Sequence, residues 1–170
     1  MPLPSELIER LADAGARREL GRLLDALVGA AAFRVERGVW TPTFAGTSTA
    51  GAFTYVEQLG HWWRFDSLTL ILGRCRISAI GVAPVGSMSL PGLPFRAGPL
   101  VSLYGGVDFF AVGSFNYAAG ALDLGGYIAP STDVIRLIES FDNAAAADTP
   151  AANFTNASCQ LTFFGLYEVG

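Results

Sequence analysis

Lysine is absent from this 170-residue chain, and all 11 basic residues are arginine. Histidine occurs once, at His61, and cysteine twice, at Cys75 and Cys159. These shortages close off several kinds of chemistry. A Ser/His/Asp or Cys/His device would have to use His61, which stands beside Trp62 and Trp63 with no nucleophile motif nearby. A zinc site needs three or four suitable ligands, and one His with two strand cysteines does not supply them. No Walker loop is present, and Gly105-Gly106 and Gly125-Gly126 fall between strand-like runs rather than between a strand and a helix. No cofactor or metal is therefore expected. Acids such as Glu57, Asp66, Asp108, Asp123, Asp133 and Glu139 are scattered in the manner of solvated surface groups. They give no clear sign of the facing pair a glycosidase needs. The expectation is a protein that is not an enzyme.

Charge is scarce as well. Charged residues make up 15% of the chain, against about 25% in an ordinary soluble domain. The net charge of −4 offers no basic face, which argues against a nucleic-acid partner. Long apolar runs are missing. The longest, Ala26–Phe33, contains Gly29 and falls well short of the ~20 residues of a membrane span. No basic start precedes it, so neither a leader nor membrane insertion is expected.

Hydrophobic residues are plentiful, at 51%. A monomer with so few charges would show much apolar surface, and the simplest cover is other subunits. Residues 5–33 carry a helical pattern. Ser5 serves as N-cap with Glu6 and Glu9 in the first turn. Leu7, Ile8 and Leu11 share one face, Gly15 interrupts, and Leu20, Leu24, Leu27 and Ala31 form a second stripe. Helices this short need a partner surface. That surface is either the chain's own β domain or another subunit; because the β pattern that follows looks complete without them, residues 1–37 are expected as an attachment and oligomerisation segment, with Arg34–Gly38 as linker, and residues 38–170 as a β domain.

From residue 38 the period changes to that of strands. Expected strands are Val39–Phe44, Phe53–Leu59, Trp62–Phe65, Ser67–Ile80, Ser87–Leu90, Leu100–Tyr104, Val107–Tyr117, Leu122–Ile128, Val134–Phe141 and Cys159–Val169. Asn143–Pro150 is small and polar, the least ordered stretch by composition. Many short strands without intervening helices mean an antiparallel β-sandwich or barrel. The cysteines fall inside strands and are expected as buried thiols; nothing in their spacing implies a disulfide.

Two strands are apolar on both faces. Leu68, Leu70 and Leu72 lie opposite Ile71, Cys75 and Ile77, and Phe164 and Leu166 lie opposite Leu161, Phe163 and Tyr167. A sheet with one wet face should alternate. Leu20, Leu24, Leu27, Leu68, Leu70, Leu72, Phe164 and Leu166 are therefore the expected oligomer interface. Exposed aromatic rings stack on sugar faces while Asn, Asp and Arg bond hydroxyls. Trp63, Tyr104, Asn116 and Tyr117 are the expected carbohydrate contacts, and the loops after Phe95 their main setting. The ordinary role of any one such ring is packing.

The string Gly38-Val39-Trp40-Thr41-Pro42-Thr43-Phe44, followed by Phe53-Thr54-Tyr55, Gly60/Trp62/Arg64, Gly73-Arg74, Leu90/Gly92-Leu93-Pro94-Phe95 and Phe163/Gly165/Tyr167, resembles a module of tailed-bacteriophage fibre, tail-knob and head-fibre proteins. The resemblance spans residues 38–170. It implies a jelly-roll-like sandwich, a homotrimer, a place on the virion surface of head or tail, and recognition of host surface polysaccharide. It also implies that residues 1–37 anchor the chain to other virion proteins. The arginine-only, alanine-rich composition would suit a phage or phage-like gene transfer agent of a GC-rich bacterium. A structural adaptor or capsid-decoration subunit is the alternative, and a capsule depolymerase a third.

Overall fold

The structure, a computed structural model, describes Arg22 and residues 34–100, 103–155 and 158–170. The chain divides into two units, Met1–Arg34 and Val35–Gly170. Apart from Arg22, the N-terminal helical pattern, with Leu20, Leu24 and Leu27, lies outside the described residues.

The second unit is mainly antiparallel β. Its strands are β1 (Val35–Trp40), β2 (Ala45–Gly46), β3 (Ala52–Phe65), β4 (Leu68–Val82), β5 (Met88–Pro91), β6 (Gly105–Gly113), β7 (Ala121–Ile128), β8 (Val134–Phe141), β9 (Ala144–Asp148) and β10 (Gln160–Glu168). They form one sheet in the order β1-β3-β4-β10-β6-β7-β8-β5-β2, with β9 beside β8.

Several expectations change. Val35–Gly38, read as linker, belongs to β1 and pairs with Trp62–Phe65. The two strands expected over 53–59 and 62–65 are one continuous strand, because Gly60 does not end it. A Cβ at Gly60 would lie 2.5 Å from Cδ1 of Trp40, so the missing side chain makes room for the indole. Leu103 and Tyr104 are not in a strand, and β6 stops at Gly113, leaving 114–117 as loop. The stretch read as least ordered contains β9, which pairs with β8 although all five of its residues are exposed. Backbone pairing holds it, with no apolar alternation to announce it.

Alternate positions along β4 and β10 point to one core. Ile71, Cys75, Ile77, Leu161 and Phe163 are fully buried, and so are Leu124, Ile128, Ile135, Leu137, Met88 and Leu90 from the other half of the sheet. The two cysteines are free thiols within that core. Burial pushes both thiols up, Cys159 to about 12. Phe163 fills the centre, edge-on to Trp40 at 6.2 Å and tilted against Phe109 at 5.5 Å. The phenol of Tyr167 donates to the carbonyl of Phe95 at 3.1 Å, and Tyr55 Oη accepts from the amide of Phe44 at 2.8 Å.

Candidate functional site

The side of β1-β3-β4-β10-β6 turned away from the core is the most unusual surface among the described residues. Strand register puts Val39, His61, Leu72, Phe164 and Asp108 in one row across five strands. The next row is Arg37, Trp63, Leu70, Leu166 and Gly106. The outward positions Val35, Val39, Leu59, Leu68, Leu72, Phe110, Phe164 and Leu166 are between 37% and 75% exposed. On β6, Val107 and Phe109 face the core while Asp108 and Phe110 face outward, and the Phe110 ring tilts against Phe164 at 6.4 Å.

Charge sits around this strip. Arg74 pairs with Glu57 at 3.0 Å and donates to Gln160 Oε1 at 3.1 Å. Arg37 on β1 and Asp108 on β6 have no ion-pair partner among the described residues. Two shallow hollows flank His61. One, of about 340 Å³, is lined by Arg37, Gly38, Val39, His61, Trp62 and Trp63. The other, of about 210 Å³, is lined by Leu59, His61, Leu72, Gly73, Arg74, Phe110 and Thr162.

The structure therefore gathers Leu68, Leu70, Leu72, Phe164 and Leu166 on one face. It adds four residues that the sequence alone did not place in an interface: Arg37, Val39, His61 and Phe110. Their meeting on this face depends on strand register, and Arg37 had been read as linker.

The expected carbohydrate contacts do not converge. Trp63 lies on the outward face, with its ring 6.1 Å from His61. Tyr104 precedes β6 and meets Tyr127 edge-on at 5.7 Å. Asn116 and Tyr117 follow β6, so the length of that strand separates them from Tyr104. The Asn116 amide donates to Thr155 Oγ1, and Tyr117 packs on Phe115 at 5.2 Å. Both belong to a polar end of the molecule built around Glu139. That carboxylate is 1% exposed and accepts from the Asn153 side chain at 2.9 Å and from the amide of Ala118 at 3.3 Å. It thus ties the 114–120 loop to the 3-10 turn Ala151–Asn153. Burial, with Asp123 and Glu139 nearby, pushes the Tyr117 phenol above its ordinary range.

Among the described residues, no group of three or more His, Cys, Asp or Glu side chains is placed to hold a metal ion. No described helix is long and apolar enough to cross a membrane.

No protein-family description matches the sequence, and no curated protein does. Among solved structures, the chain is similar to the crystal structure of the Dettilon tailspike protein, with a TM-score of 0.65 at 14% identity. The match covers 79% of this chain and 24% of that one, so the chain corresponds to about a quarter of the tailspike's length. The likeness is one of fold: this antiparallel β architecture occurs within a phage tailspike.

Proposed function

We propose that this chain is a non-enzymatic component of a phage-type virion, a fibre or spike protein that assembles as a homotrimer and displays a jelly-roll-like β-sandwich outward. The segment before β1, whose sequence carries the helical pattern, attaches it to other virion proteins, on head or tail. The observation that carries the reading is the outward apolar face, on a fold that also occurs in a tailspike. Such a face is a liability on a free monomer and an asset in an assembly.

Host surface polysaccharide is the proposed ligand. Its contacts are assigned to Asn116 and Tyr117 at the end built on Glu139, with Tyr104 as a separate, secondary position. One shallow site binds weakly, and three copies per spike on a particle with many spikes supply avidity. The test is a glycan array probed with the intact oligomer. Retention on host capsule, lost in Tyr117→Ala, supports the reading, and no binding by a verified trimer overturns its ligand half. A fall in polysaccharide chain length during the same incubation would overturn the non-enzymatic part.

One observation favours a second reading. The expected sugar contacts are dispersed over three places, as they would be in an adaptor or decoration subunit that binds only virion proteins. The glycan array separates the two, because an adaptor or decoration subunit binds no host polysaccharide even as an intact oligomer.

A further inference from the structure

The outward face is large enough to be a protein interface in its own right. It carries eight large apolar side chains that are each 37–75% exposed, whereas one partner in a standard interface contributes about 800 Å² of polar and apolar surface together. The largest patch on a typical monomer is roughly 300–600 Å². Size alone does not name the occupant; the arrangement of charge and shape does.

The two rims of the face differ in sign. Arg37 stands on β1 at one rim, and Asp108 on β6 at the other; each lacks an ion-pair partner among the described residues. Beside each charge stands the most exposed apolar side chain of that rim, Val39 at 75% and Phe110 at 59%. The 210 Å³ hollow reaches Phe110 and is ample for a valine side chain. A surface whose one edge complements its other edge in charge and shape fits a further copy of itself.

We infer that copies of this chain pack through this face rim to rim, the β1 rim of one copy (Arg37, Val39) against the β6 rim of another (Asp108, Phe110). The inference rests on the homotrimer proposed above and names the surface that builds it. A polysaccharide on this strip would leave most of its aliphatic side chains against hydroxyl groups. A membrane surface is disfavoured by the unpaired Asp108.

Engineered cysteines test the contact. Cys75 and Cys159 are buried and do not compete for an oxidant. The full chain carrying Val39→Cys and Phe110→Cys together is oxidised mildly, run on a non-reducing gel and compared with each single variant. The expected result is a covalent trimer from the double variant and no cross-link from either single one. Cross-linking of Val39→Cys alone puts β1 against β1 and overturns the rim pairing. A double variant that elutes as a trimer yet does not cross-link overturns it too, while leaving the trimer intact. A wild-type chain that is monomeric by light scattering removes both. Charge exchange gives an independent readout. Arg37→Asp and Asp108→Arg each raise the concentration needed for assembly about tenfold, and the two together restore it. Failure of the pair to restore assembly contradicts the contact.

Discussion

The two halves of the sheet turn the same kind of face inward and different kinds outward. Inward, β4 and β10 offer Ile71, Ile77, Leu161 and Phe163, while β7 and β8 offer Leu124, Ile128, Ile135 and Leu137, all fully buried. Outward, the first half shows Val39, Leu72, Phe110 and Phe164, all exposed, whereas the second shows Asp123, Gly125, Tyr127, Arg136 and Ser140, with its aliphatic Val134 and Ile138 half-buried. Leu122 is the one large exposed apolar side chain on β7, β8, β5, β2 or β9 among the described residues. Folding needs the inward faces alone. The outward contrast is left over after the fold is satisfied, so it speaks of what each half meets in the assembled particle.

The sharpest way to break this comparison uses two neighbours on β10. Phe163 faces in and Phe164 faces out. Phe163→Ala removes a ring packed on Trp40 and Phe109 and lowers unfolding free energy by about 3–5 kcal/mol in denaturant titration. Phe164→Ala leaves the unfolding of a dilute protomer within about 0.5 kcal/mol but weakens assembly, read by sedimentation. Equal losses of stability at the two positions would erase the distinction between core and outward face.

A smaller effect tests the polar end. Glu139→Ala leaves the Ala118 amide and the Asn153 side chain without their acceptor, costing about 1–3 kcal/mol. Amide exchange should quicken over 114–120 and 151–155 while β4 and β10 stay protected. Uniform quickening would mean that Glu139 supports the whole core and not one end.

Alkaline pH should act on both halves through the core they share. Burial pushes Tyr55 and Tyr167 up to about 12 from an ordinary 10.0. Both are neutral in the fold when the unfolded chain begins to ionise. Their contribution is complete below pH 10 and is lost as pH rises from about 10 to 12. Tyr55→Phe should flatten part of that fall, followed by thermal unfolding across the range. The smallest expected effect is Tyr104→Ala, exposed on the loop before β6, which should leave stability within about 0.5 kcal/mol.

Much of this contrast was legible in the sequence. Leu68/Leu70/Leu72 against Ile71/Cys75/Ile77 announced a two-faced strand, because a period of two sorts side chains without knowledge of neighbours. Arg37 and Asp108 could not be brought into one frame that way, since their relation depends on strand order across β3, β4 and β10. Phe110 follows the same period of two as Val107 and Phe109, but its meeting with Phe164 depends on the pairing of β6 with β10. β9 was hidden by its composition, as an alanine run carries no face preference for pairing to reveal. The dispersal of Tyr104 and Asn116 to opposite ends of β6 followed once the strand's bounds were known. Chemistry of residue type had grouped them without that length.

The central claim is that the outward face of β1-β3-β4-β10-β6 is covered by copies of this chain. Light scattering of the intact protein at micromolar concentration tests it most directly. The account predicts a species of three times 17.9 kDa that falls to a monomer in Phe164→Glu with strand content unchanged. A single 17.9 kDa species from the unaltered chain would contradict it.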